Sequence, residues 1–180
     1  QTRMEHEADS DTVGQWLKRA QRQLSDAGIP SPADEARLLL AEVLNAPLAW
    51  ILAHPDSMVP PDRRLLYESY LSRRAAHEPV AYILGHKEFF AIDFDVNPTV
   101  LIPRRETELL VERALAAAKR LFEAKGRELL LVDLGTGSGS VAVSMAVNDP
   151  NLKIVAIDNS SQALMVARAN ATRHCVAHRI

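Results

Sequence analysis

The run LLLVDLGTGSGSVAVSMA, Leu129 to Ala146, sets an acid and three glycines between two apolar segments, and a second apolar run, KIVAID, closes on Asp158. This pattern predicts a buried strand, a glycine-rich turn, a helix and a second strand, with both acids at the carboxyl edge of a parallel sheet. The glycines have separate tasks. Gly135 lets the chain leave the strand with a positive φ. Gly137 lets a ligand approach the backbone, and Gly139 lets the following helix start close to the sheet. The spacing Gly135-x-Gly137-x-Gly139 is not the GxGxxG of a dinucleotide site. A pyrophosphate on the helix N-terminus would also meet the carboxylate of Asp133. A cofactor with a cationic amino-acid part would instead welcome that acid, and S-adenosylmethionine is such a cofactor. Asp133, Gly135, Thr136, Gly137 and Gly139 would hold its methionine part. Asp158 fits the acid that takes a ribose hydroxyl pair, with Asn159 or Ser160 on the adenine side. The other reading is a tight turn without ligand, in which Asp133 caps the helix.

The elements that must position these residues follow from periodicity. Ser10 or Asp11 is expected to cap a helix whose apolar face is Val13, Trp16, Leu17, Ala20 and Leu24, ending at Gly28. Ser31, Pro32 and Asp34 open a second helix. Pro47 opens a short one with Trp50 and Ile51, and Asp62 starts a fourth. Trp16 and Trp50 are expected in a core. Arg63, Arg64, Arg73 and Arg74 are expected on a solvated face, because acids are interspersed among them. Phe90, Ile92, Phe94 and Val96 alternate with smaller or acidic residues as a half-buried strand, one arm of a hairpin after Gly85. IPRRETE, Ile102 to Glu108, leads into a long helix with Leu110, Ala114, Leu115, Ala118 and Phe122 as its apolar stripe, ending at Gly126. After the second strand a helix runs from about Ser160 to Ala171, and His174-Cys175-Val176 reads as the start of a third strand. The fold class is therefore α/β. Residues 1–11 are expected as a disordered tail, 12–78 as a helical bundle, 79–100 as a hairpin linker, and 101–180 as the first part of a Rossmann-like domain. Two parallel strands do not complete a doubly wound sheet. A truncated domain is expected, with an exposed sheet edge that invites self-association.

Composition excludes several classes. The 180 residues are 47% apolar with a formal net charge of -2 and mixed signs, which gives no bulk attraction for nucleic acid. A lone cysteine, Cys175, cannot form an internal disulfide and suits a reducing compartment. No apolar run approaches the ~18 residues of a membrane span, and the polar start QTRMEHEADSD does not read as a signal peptide. His77 and His86 are isolated, and His174 and His178 lack a third ligand nearby, so no metal is expected.

Four segments carry a resemblance: PVAYILGHKEFF (Pro79–Phe90), LIPRRETELLVERAL (Leu101–Leu115), VDLGTGSGSVAVSMA and VAIDNSSQALMVARANA (Val155–Ala171), the last with an Ala-x-x-Asn ending at Asn170. Together they resemble the HemK/PrmC family, which methylates the glutamine of the GGQ motif in peptide-chain release factors. Arg105 stands where the family often has Pro. The resemblance implies a Rossmann-like domain dependent on S-adenosylmethionine, a helical domain that contacts the release factor, and a cytoplasmic setting in a bacterium or an organelle. It puts Arg104 and Thr107 at the lip of the cofactor pocket, with helix capping as their other role. It puts Phe89 or Phe90 over the cofactor, with a hairpin-core role as the alternative. The family's catalytic NPPY motif does not occur in the 180 residues, so no catalytic residue is assigned and the chain alone is expected to be inactive. Two other functions stay open: an adenine-specific amino-methyltransferase of nucleic acid, and a release-factor-binding module without turnover.

Overall fold

The computed structural model describes residues 11–180, and for Lys125 the backbone only. The tail expected over residues 1–11 therefore lies almost wholly outside the described residues, as does Ser10. The chain divides into two units, Gln1–Leu84 and Gly85–Ile180. The division falls inside the segment read from sequence as a linker.

The first unit is helical because its apolar residues recur at helical spacing. Helix α1 (Val13–Asp26) buries Val13, Trp16, Ala20 and Leu24, and α2 (Pro32–Leu44) buries Ala36, Leu39, Leu40, Ala41 and Val43. Thr12, not Ser10 or Asp11, precedes α1, and Asp11 instead pairs with Arg64 at 2.6 Å. Short α3 (Leu48–Ala53), α4 (Pro61–Ala75) and α5 (Val80–Leu84) complete the unit. Pro32 and Pro61 each occupy a helix start, where a missing N–H costs nothing. Tyr67 of α4 is fully buried and its hydroxyl donates to the Ala36 carbonyl at 2.9 Å. Trp16 is in this core, while Trp50 is half-buried and stacks on His54. The α4 arginines are not simply solvated. Arg73 binds Glu78, and Arg74 binds Glu35 from α2.

The second unit opens with an antiparallel hairpin, β1 (His86–Phe89) and β2 (Ile92–Asp95). Here the strand expected from the alternation at Phe90 is corrected. Phe90 and Ala91 have φ of 52° and 55° and form the turn itself, the geometry a two-residue hairpin loop needs to match strand twist. A short 3-10 turn, Arg105–Thr107, leads into α6 (Glu108–Lys125), which Gly126 ends at φ 60°. The stripe expected on α6 departs at Leu110, which is 56% exposed while its neighbour Val111 is buried; Ala118 is buried, and Ala114 and Leu115 pack against the core as expected.

Strand β3 (Leu129–Leu134) pairs in parallel with β4 (Leu152–Ile157), Asp133 opposite Ala156. Between them runs α7 (Ser140–Asn148), whose Ala142, Val143, Met145 and Ala146 are buried. Helix α8 (Ser161–Arg173) follows, its start capped by Ser160, which accepts from the Ala163 amide. Side chains alternate across the two strands. Leu129, Leu131, Leu152, Ile154 and Ala156 join the core, while Leu130, Val132, Leu134, Val155 and Ile157 are exposed. No third strand begins at His174. Cys175 takes φ 59°, and residues Ala177–Arg179 form a 3-10 turn. Partners distant in the chain hold this segment: the Asp93 carbonyl of β2 lies 2.7 Å from the His174 ring, and Arg179 donates to the Ala146 and Asp149 carbonyls of α7 and its end.

Candidate functional site

The parallel register brings the ends of β3 and β4 side by side, so the glycine turn and Asp158 share one edge of the sheet. The amides of Gly135 and Thr136 both donate to the Ile157 carbonyl, at 2.8 and 2.9 Å. This fuses the turn to the end of β4. Gly135, Gly137 and Gly139 have φ of 77°, 55° and 81°, conformations that cost an L-residue about 1–2 kcal/mol each. All three glycines are thus required by the backbone.

Their surroundings differ. A Cβ on Gly139 would lie 3.1 Å from both the Cα and Cβ of Ala167 in α8. The close approach that sequence assigned to the sheet is therefore an approach to α8. A Cβ on Gly135 or Gly137 would meet nothing within 4 Å. That leaves open space over the turn, as a ligand at the backbone requires.

The acids also differ. Asp133 accepts the Thr136 hydroxyl at 2.8 Å, so it braces the turn across three residues. Asp158 accepts the Gly137 amide on one oxygen at 2.9 Å and the Ser160 amide on the other at 3.0 Å. These N–H donors, Ser160 first and then Gly137, hold its carboxyl below the ordinary carboxylate range. Asp158 is therefore ionised at neutral pH. Each oxygen keeps lone-pair capacity for a further donor, such as a ribose hydroxyl.

The remaining expected residues lie as follows. Asn159 is exposed next to Asp158. Arg104 is exposed at the start of the 3-10 turn, and its carbonyl accepts the Thr107 amide at 3.0 Å. The Thr107 side chain does not cap α6. Among the described residues no hydrogen bond joins either side chain to the glycine turn. Phe89 is 1% exposed and packs edge-to-face against Phe94 at 6.1 Å between ring centres. It is a core residue of the hairpin, the alternative role left open for it by the sequence. Phe90 is half-buried, and its amide donates to the Glu108 carboxylate at 3.0 Å.

Two residues with structural reach escaped the sequence reading. Glu108, the last residue of IPRRETE, ties α6 to the strained hairpin turn. Asn170, noted only as a motif ending, is fully buried and binds backbone atoms of Asp95 and Ser138. Their partners lie up to 75 residues away, so spacing carried no signal.

The fold defines a first, coarse class: a helical unit followed by an incomplete α/β unit of methyltransferase-like form, with a glycine turn at the strand ends. Comparison with known proteins narrows it. Residues 15–85 match the PrmC N-terminal domain, and residues 110–180 match a family described as precorrin methyltransferase domain. A release factor glutamine methyltransferase of Koribacter versatilis is 41% identical over 162 residues, covering 90% of this chain and 56% of that protein. One of Vibrio cholerae is 42% identical over 164 residues, covering 91% and 55%. A bifunctional methyltransferase of Rickettsia felis is 37% identical over 191 residues, covering 94% and 36%. The chain belongs to the HemK/PrmC family. It spans about half the length of the release factor glutamine methyltransferases it matches. No helix among the described residues is long and apolar enough to cross a membrane.

Proposed function

We propose that the intact protein transfers a methyl group from S-adenosylmethionine to the side-chain amide nitrogen of the glutamine in the GGQ motif of peptide-chain release factors. The observation that carries the cofactor reading is the Gly137 amide bound to the Asp158 carboxylate beneath open space. A turn of three positive-φ glycines locked to an ionised acid fits the nucleoside end of that cofactor. When bound, the cofactor supplies an electrophilic methyl on a sulfonium. In this reading Asp133 offers negative charge to the cationic amino-acid part, Gly135, Thr136, Gly137 and Gly139 line it, and Asp158 orients the ribose, with Asn159 on the adenine side. Arg104 and Thr107 sit at the pocket lip.

An amide nitrogen is a poor nucleophile because its lone pair is delocalised. Acceptors must orient it in line with the methyl. The NPPY segment that does this in the family has no counterpart in the 180 residues, so the amide-binding step belongs to the intact protein. The helical unit, matched over residues 15–85 to the PrmC N-terminal domain, would hold the release factor, and the reaction would run in the bacterial cytoplasm. The precorrin description attaches only to the cofactor half, which substrates of many kinds share, whereas the release-factor relatives cover both units.

The test is to incubate the intact protein with S-adenosylmethionine and a release factor and to read the GGQ peptide by mass spectrometry. A gain of one methyl on the glutamine is expected. Tight cofactor binding with an unmodified peptide would overturn the substrate. Absence of cofactor binding would overturn the reading as a whole.

A further inference from the structure

We infer that Asn170 is a positioning residue of the cofactor turn, a single buried amide that sets the glycine turn in place and registers the hairpin against it. The inference rests on the cofactor reading of that turn. Asn170 is 0% exposed and makes three hydrogen bonds in two directions. Its Oδ1 accepts the Asp95 amide at 2.8 Å while its Nδ2 donates to the Asp95 carbonyl at 3.0 Å. Toward β2 the side chain thus acts as a neighbouring strand would, satisfying both backbone groups of one residue. The second Nδ2 hydrogen goes to the Ser138 carbonyl at 2.9 Å, and Ser138 lies between Gly137 and Gly139.

The same face of α8 presents Ala167, one turn earlier, against Gly139. A small residue and an amide therefore form a template on which residues 137–139 rest. β4 holds the other side of the turn through the Ile157 carbonyl. No other side chain supplies this set. A carboxylate has no donor for two carbonyls, a glutamine is one carbon too long, and an apolar residue leaves three backbone polar groups without this partner, the Ser138 bond among them buried.

Deleting the Ser138 bond frees the turn on the side away from the sheet. The cofactor then binds a turn that must first be ordered, and the loss appears in cofactor affinity rather than in release-factor affinity. The experiment compares Asn170→Asp and Asn170→Ala with the unaltered intact protein, with Val176→Ala as a control for lost core packing in the same unit. S-adenosylmethionine binding is read by calorimetry, KM is read separately for S-adenosylmethionine and for release factor, and amide hydrogen exchange is followed across residues 135–140.

Expected for both Asn170 variants is about a tenfold or greater weakening toward S-adenosylmethionine. KM for release factor should stay within about twofold, a margin well inside the factor of ten set by one lost bond, and exchange at the turn should quicken. Val176→Ala should leave turn exchange unchanged. Unchanged exchange at 135–140 in the Asn170 variants overturns the inference whether or not the cofactor binds. So do equal losses toward both substrates, and so does failure of both variants to fold, which would assign Asn170 to stability alone. If the unaltered protein fails to bind S-adenosylmethionine, the cofactor reading falls, and the exchange result still decides the role of Asn170 in the turn.

Discussion

Asp158 and the three glycines show how one residue type can serve distinct ends within a short turn. Asp158 reaches both Gly137 and Ser160 through backbone amides, so replacing it removes a brace of the turn together with the ribose contact proposed for it. Asp158→Ala in the intact protein should weaken S-adenosylmethionine binding by about tenfold or more, the scale of a charged hydrogen bond lost, read by titration calorimetry. A change under about twofold would take Asp158 off the ribose. Its carboxyl titrates below the ordinary range. Its share of stability is thus complete above the unfolded pKa, near ~3.9, and is lost as pH falls through the lower folded value. A carbon-13 titration of this carboxyl should give a midpoint below that of an aspartyl peptide. The glycines separate by neighbour. Gly139→Ala, with φ 81° and Ala167 at 3.1 Å, should cost about 2 kcal/mol or more of stability in chemical denaturation. Gly137→Ala, with open space at its Cβ, should cost only about 1 kcal/mol. Gly137→Val should in addition lose cofactor binding beyond its effect on stability, and normal binding by a folded Gly137→Val protein would remove the turn from the site.

At the scale of elements, polar residues decide which helices and strands stay together. Tyr67 joins α4 to the Ala36 carbonyl of α2 from a fully buried position, and burial pushes its phenol far above the ordinary range. Tyr67→Phe should cost about 1 kcal/mol, the net worth of one buried hydrogen bond, since the Ala36 carbonyl keeps its partner within α2, and denaturant unfolding of the helical unit reads it. The hairpin is fastened to α8 by Arg173, which pairs with Asp95 at 2.6 Å and Asp93 at 2.8 Å, while His86 on Asp93 at 2.8 Å ties β1 to β2 within the hairpin. Burial opposes ionisation of Asp93, but hydrogen bonds and charge contacts with His86 and Arg173 outweigh it and hold the carboxyl below its ordinary range. The contribution to stability is present above the unfolded carboxyl pKa and declines as pH falls through the folded one. Protection of the β1 and β2 amides, measured against their intrinsic exchange rates, should therefore fall below about pH 4, and Arg173→Ala should shrink that acid-dependent loss. A loss of unchanged size would show that the ion pairs do not fasten the hairpin.

At the scale of the whole molecule, the two units present different surfaces. The helical unit closes its core among residues near in sequence. The sheet of the second unit buries one face, while Leu130, Val132 and Leu134 on the other are 69%, 51% and 76% exposed. A contiguous apolar strand face of this kind drives association. The 180-residue chain in isolation should therefore show concentration-dependent sedimentation, and Val132→Lys should suppress it without loss of helix content. Concentration-independent monomers of the unaltered chain would contradict this.

The sequence alone determined the elements and the chemistry of the turn. Helical spacing in α1 and α2, prolines at helix starts, and three glycines flanked by two acids are local signals, and each reflects a local cost of backbone or burial. Family membership was legible for the same reason, since its motifs are contiguous. What only the tertiary structure decided involves partners distant in the chain. Alternation could not show that Phe90 turns rather than extends, because Ala91 and the Glu108 carboxylate settle it. Nor could it show that His174 ends a helix against Asp93 instead of starting a strand. Between the two roles the sequence left open for Phe89, its place in the hairpin core follows from Phe94 across the hairpin. The use of Asn170 had no local signature at all: a buried amide acquires its role only when Asp95 and Ser138 are brought within hydrogen-bonding distance by packing.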